Sequence, residues 1–225
     1  PGDPAGRMQI FYLAFSPRGD CIATLAQERT RDGRENTMPR LSLWDLSGKR
    51  LIPSRDLHPK SRGVDVAADG KSLIIPSLRG SVGLYDLEGR ETGRFQTFPH
   101  GFDFWLLHPG AGLFLALKQP AGIGPGEVGL WNLAGKELLR RPFSDLLSNP
   151  RASFSPDGRR IGVPCRQRVH VLDVERGEIA CNQAAFAYKP TALAFAPDAT
   201  QLAIGFEDGD RKSPRLNSSH GKLSR

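Results

Sequence analysis

FSPDGRRIGVPCRQRVHVLDVERGE, residues 154–178, is the stretch that decides the fold. Its apolar runs, RIGVPC from Arg160 and VHVLDV from Val169, are too short for a buried helix. Each is bounded by a polar cluster: Ser-Pro-Asp-Gly, Arg-Gln-Arg and Glu-Arg-Gly-Glu. Turn signals at this density mark short antiparallel strands, here at about 151–155, 160–165, 168–174 and 178–184.

The same grammar recurs along the chain. LWDL at 43–46, LYDL at 84–87, LWNL at 130–133 and VLDV at 171–174 place Trp44, Tyr85, Trp131 and Leu172 at intervals of 41, 46 and 41 residues. The next residues, Asp45, Asp86, Asn132 and Asp173, precede the tight turns SGK, EGR, AGK and ERGE. Glycine there supplies the positive φ of a hairpin turn. A second marker precedes each of these: FSPRGD from Phe15, VAADGK from Val66, LHPGAG from Leu107, FSPDGR from Phe154 and FAPDAT from Phe195. Each is followed by an apolar strand. In the second unit the strands fall at about 63–67, 72–77, 81–87 and 91–97.

A four-stranded sheet cannot bury both of its faces alone, so such units stack face to face about an axis. The expected fold is therefore all-β, a β-propeller of four-stranded antiparallel blades. The blades run at about 8–57, 63–97, 101–142, 151–184 and 190–209.

The FSPDG…LWDL-x-G-K pattern resembles WD40 repeats of the degenerate bacterial kind, over about residues 8–209. The resemblance implies a rigid platform for protein partners, commonly of seven blades, without catalysis of its own. On that count the chain holds about four and a half blades. The family's Gly-His dipeptide is missing, although His58 and His100 stand near its place, and Arg79 occupies a turn where the family often has Asp. Most of the family's hydrogen-bond network inside a blade is thereby unavailable, and stability is expected to rest on apolar packing.

The pattern stops at Gly209, where a third strand should follow; DRKSPRLNSSH stands there instead. This stretch, 210–220, resembles the translation of a common sequencing-library adapter and departs from it only at Pro214. Residues 210–225 are expected to be a non-native, disordered tail, and the native protein to extend beyond Gly209 and before Pro1. That tail holds Arg211, Lys212, Arg215, Lys222 and Arg225 against Asp210, +4 of the net +7, leaving the body at +3. The basic balance that would suggest a nucleic-acid ligand mostly leaves with it.

Composition bounds the rest. In 225 residues, 39% are hydrophobic, enough for a sizeable core, and no apolar run approaches the roughly 18–20 residues of a membrane span. Cys21, Cys165 and Cys181 lack metal-ligand spacing and fit free thiols in a reducing, cytoplasmic compartment. Cys165 and Cys181 fall on strands two and four of one blade, about 10 Å apart and beyond disulfide reach.

Catalytic signatures are missing: there is no Gly-x-Ser-x-Gly elbow, His-Glu-x-x-His, Cys-x-x-Cys or P-loop. His108 and His170 are expected to be structural, AGIGPGEVG at 121–129 to be a lengthened hairpin, and Glu207 and Asp208 to be turn residues. No catalytic residue, cofactor or metal is assigned. Insertions at 28–40 and 119–127 both join second to third strands, on the rim shared with the links between blades. That rim gathers Arg31, Arg34, Lys60, Arg62, Arg79, Arg166, Arg168 and Lys189, a mildly basic face for a protein partner with an acidic segment.

The expected function is thus a non-catalytic protein–protein interaction scaffold, part of a larger WD40 repeat protein. No nucleic acid, membrane or homo-oligomer is needed. Two alternatives stand: an enzymatic propeller, lactonase-like or another metal-dependent hydrolase, and a regulatory propeller of a multidomain kinase or protease.

Overall fold

Short strands, of two to nine residues, between turn clusters leave each sheet with two faces to bury, and the described residues form five successive antiparallel sheets. The computed structural model describes residues 7–29, 38–58, 61–77, 79–108, 110–120, 125–147, 151–183, 186–207 and 211–212. Among them no helix forms, and none is long and apolar enough to cross a membrane.

Sheet 1 contains β1 (Arg7–Phe15), β2 (Cys21–Arg29), β3 (Arg40–Asp45) and β4 (Arg55–Asp56); sheet 2 contains β5 (Asp65–Val66), β6 (Ser72–Pro76), β7 (Ser81–Asp86) and β8 (Glu91–Gln96). Sheet 3 is made of β9 (Phe104–His108), β10 (Leu113–Lys118), β11 (Gly126–Asn132) and β12 (Glu137–Phe143). Sheet 4 has β13 (Ser153–Phe154), β14 (Arg160–Pro164), β15 (Val169–Asp173) and β16 (Ile179–Gln183). Sheet 5 has three strands, β17 (Pro190–Phe195), β18 (Leu202–Phe206) and β19 (Arg211–Lys212). Within every sheet the strands follow chain order. The second and fourth units match their expected strands to within about two residues.

The pairing Ile204↔Lys212 carries the fifth sheet three residues past Gly209, where the repeat pattern ends. Backbone hydrogen bonding needs no apolar alternation, so a polar segment can add to an edge. The remainder of the tail lies outside the described residues.

The chain divides into two compact units, Pro1–Gly101 and Phe102–Arg225. In the first, Ala23, Leu25, Leu41 and Leu43 of sheet 1 pack with Val66, Leu73 and Ile75 of sheet 2. In the second, sheet 4 is buried on both faces because β15 alternates. Leu172, with Ile161 and Val163, joins Leu115, Leu117, Val128 and Leu130 of sheet 3. Val169 and Val171 turn the other way, onto Leu202, Ile204 and Phe206. Each fully buried aliphatic side chain of this kind is worth about 1.5–3 kcal/mol.

Polar support inside a blade is sparse but present. The Trp44 indole N–H donates to Thr24 Oγ1 at 2.9 Å in sheet 1. Trp131 is buried by apolar contact, with the Arg140 guanidinium 5.7 Å from its ring.

The marker residues have local causes. Asp45, Asp86, Asn132 and Asp173 each accept backbone N–H groups of the following turn through Oδ1, at 2.7–3.0 Å. Ser155 Oγ accepts the Arg160 N–H at 2.9 Å and donates to Asp157 Oδ1 at 2.6 Å, closing the FSPDG turn around Gly158 at φ +71°. In sheet 5 the corresponding position is Ala199, held at φ +57° without the freedom of glycine.

These turns also tie sheet to sheet. His108 Nδ1 accepts the Ala111 N–H at 2.9 Å, which fixes the proton on Nε2 and lets it donate to the Ser155 carbonyl at 3.1 Å. Arg160 Nη1 donates to the Ala199 carbonyl at 3.2 Å, repeating the device from sheet 4 to sheet 5. The structural role expected of His108 is thus a specific one.

Candidate functional site

Each sheet has two ends. The turns joining first to second and third to fourth strands occupy one. The connections between second and third strands, and the links to the next sheet, occupy the other.

In the first unit this second end carries Arg62 and Arg79, both exposed. The Ser61↔Ser77 bridge and the Arg62 N–H bond to the Pro76 carbonyl at 2.9 Å hold their segments side by side. Gly80 closes the turn at φ +80°, with a Cβ position only 2.0 Å from the Phe98 carbonyl oxygen, so only glycine fits. Arg31, Arg34 and Lys60 lie outside the described residues.

In the second unit the same end forms a cleft of about 650 Å³. Leu146 and Leu147 come from the link between sheets 3 and 4, Arg166 and Gln167 from the turn between β14 and β15, and Lys189 from the link to β17. Arg166 and Lys189 are exposed, and among the described residues no carboxylate lines the cleft. Gly126, at the start of β11, would bring a Cβ within 2.9 Å of Leu146 Cδ2, so its lack of a side chain lets that link pack down.

Arg168, grouped with these cations by sequence, is turned elsewhere. Its Nε lies 3.2 Å from Asp145 Oδ2, and the pair borders a smaller cavity of about 320 Å³ with Phe143 and His170. Here Asp145, Cys165 and His170 each bring one donor atom within 4.8 Å of the others. The backbone sets this meeting. Arg166 N–H donates to the Asp145 carbonyl at 3.0 Å, a Leu146↔Cys165 bridge stands beside it, and Val163 pairs with His170. With a period of two, Cys165 follows Val163 onto the face His170 occupies.

Cys165 is fully buried and its thiol is pushed up, by desolvation first and by the Asp145 charge second. Burial pushes the His170 imidazole down, the Asp145 charge opposing it. His170 is 6% exposed, its ring meets Phe143 at 5.1 Å, and its Nδ1 is buried with no hydrogen-bond partner among the described residues. Both Cys21 and Cys165 are free thiols.

Sequence reasoning did not find this cluster. Cys165 and His170 are separated by four residues, Arg166 to Val169, in no metal-ligand motif, and Asp145 belongs to a link that only folding brings back. The hairpin register was the usable signal: once Val163 opposes His170, Cys165 and His170 must share a face.

No protein-family model matches the chain, and no curated protein matches it in sequence. Solved structures do match. The structure is similar to hydrazine synthase of Kuenenia stuttgartiensis, with a TM-score of 0.62 and 14% identity, over 92% of this chain and 76% of that one. It is similar to Sqt1 from Chaetomium thermophilum, with a TM-score of 0.70 and 15% identity, over 98% of this chain. The fold is that of a β-propeller. The propeller sheets described here span 61% of the Sqt1 chain. At these identities the likeness concerns the fold alone.

Proposed function

We propose that the chain is a non-catalytic protein-interaction platform, a WD40-like propeller that docks an acidic, partly apolar segment of a partner protein. One observation carries this reading: the 650 Å³ cleft sets exposed Arg166 and Lys189 above Leu146 and Leu147, with no carboxylate among its described lining residues. Cations around an apolar floor favour a segment that alternates Asp or Glu with leucine or phenylalanine, because charge steers encounter and apolar burial slows release. The propeller fold supports the reading, since loops on a rigid scaffold are where binding specificity resides. The repeat pattern supports it too, through its WD40 likeness.

Fluorescent peptides of that alternating type, with charge-reversed lysine versions as controls, test it. The acidic series should bind, weaken with added salt, and lose about tenfold or more in affinity to the Arg166→Glu/Lys189→Glu variant. Both residues are exposed, so the variant should unfold within about 0.5 kcal/mol of the parent. Equal binding of acidic and basic series, or binding untouched by the double reversal, would sink the proposal.

A further inference from the structure

Beyond the docking cleft, and independently of it, we propose that Asp145, Cys165 and His170 form a zinc-binding site that joins the link after sheet 3 to the β14–β15 hairpin of sheet 4.

Three observations carry the assignment. The donor atoms of the three side chains lie within 4.8 Å of one another, and all come from backbone fixed by hydrogen bonds: Arg166 N–H to the Asp145 carbonyl, Cys165 N–H to the Arg168 carbonyl at 2.9 Å, and the Val163↔His170 pair. Tetrahedral ligands at ordinary zinc distances stand about 3.5 Å apart, so the ion needs an inward movement of roughly 1 Å, within reach of side-chain rotation. Second, His170 Nδ1 is buried without a hydrogen-bond partner among the described residues. An imidazole nitrogen hidden in this way is ordinarily bonded, and a ligand bond to a cation would satisfy it. Third, Arg168 holds Asp145 through Oδ2, the kind of outer support that ligands commonly have, and the Cys165 thiol is hydrogen-bonded to the same carboxylate, so two of the three ligands already meet.

The donor set selects the metal. A thiolate, an imidazole and one carboxylate oxygen suit zinc, whereas calcium and magnesium require mostly oxygen. Three protein ligands leave a fourth position, and the adjoining 320 Å³ cavity can supply a water there. Binding converts the Cys165 thiol to thiolate: the S–H bond breaks, a Zn–S bond forms, and one proton passes to solvent. No electron is transferred. With both buried faces of sheet 4 already packed, the ion would fix the neighbouring link at the border of the larger cleft.

The test uses the full chain, stripped with a chelator and titrated with Co²⁺ and then Zn²⁺. The expected result is one Co²⁺ per chain with a thiolate-to-cobalt charge-transfer band, displaced by Zn²⁺, and release of one proton per ion. Cys165→Ser should abolish the band, and His170→Gln should weaken uptake by at least about 100-fold, the upper end of what losing outer support alone costs. Far-ultraviolet circular dichroism reports whether each variant folds. The parent chain decides the matter even where a variant does not fold: no charge-transfer band at one equivalent overturns the site. So does a band that persists in Cys165→Ser, which would place the thiolate at another cysteine.

Discussion

The two ends of the sheets are built on different principles. At the turn end closure is local, with His108 and Arg160 adding ties to the next sheet: Asp157 caps its own turn through Ser155, Asn132 caps Lys136, and Gly158 takes the positive φ that closes FSPDG. At the other end the features are made from distant parts. Leu146, Arg166 and Lys189 meet in one cleft, and Asp145 meets Cys165 and His170 across a break of 20 residues. Local closure repeats faithfully from sheet to sheet. Distant assembly differs each time, which is what a recognition surface requires.

The largest expected effect breaks the turn end. Gly158→Val forces a β-branched residue to φ +71° and sets its Cβ 2.8 Å from the Ala111 Cβ. Urea denaturation should show a loss of about 3 kcal/mol from strain and overpacking together. A loss below about 1 kcal/mol would mean the turn is not a fixed point of the fold.

The next prediction concerns charge. In β5, burial pushes the Asp65 carboxyl up to about 6, against the pull of the Val66 N–H, and its charge helps burial raise Tyr12 to about 12. A carboxyl whose folded value lies above its unfolded value of about 3.9 binds its proton more tightly in the folded state. Its ionised form therefore costs stability above pH 6, and the cost vanishes as pH falls towards 4. Asp65→Asn should add up to about 2 kcal/mol at pH 7 and flatten the stability profile between pH 6 and 4. Asp157 has the opposite sign. The Ser155 hydroxyl, chiefly, holds its carboxyl low, so its contribution is lost only as pH falls below the ordinary carboxylate range. A parent profile that declines steadily from pH 7 to 4 would contradict the assignment to Asp65.

Smaller effects sharpen the picture of the turns. Asn132→Ala removes the acceptor of the Lys136 N–H and should cost about 1 kcal/mol by thermal or urea unfolding. Ala199→Gly relieves the one positive φ borne by a non-glycine among the described residues and should gain about 0.5 kcal/mol. No gain would indicate that the fifth turn carries no strain worth relieving.

Legibility follows the same division. The strands around LYDL and VLDV could be placed from sequence because hairpin turns announce themselves in Asp, Asn and Gly at fixed offsets. Trp131 and Leu172 could be recognised as repeat markers because they recur just ahead of a polar turn, while the burial of both, and of their neighbours Leu130 and Val171, reflects packing on both faces of a sheet. Arg168 has a partner that could not be read from the sequence. Its grouping with Arg166 followed from position in a turn, while its side chain answers to Asp145. His170 was legible as structural only in the sense that it lies on a strand, since what its nitrogen faces depends on a link 25 residues earlier.

Sequence alone determined the repeat, its strands and turns, and hence the antiparallel all-β architecture, since these depend on interactions between residues a few positions apart. Tertiary structure alone decided which cations share a cleft, which pairs with a carboxylate, and that Asp145, Cys165 and His170 meet. Those outcomes depend on how links return across stacked sheets, and no local pattern of residues encodes that path.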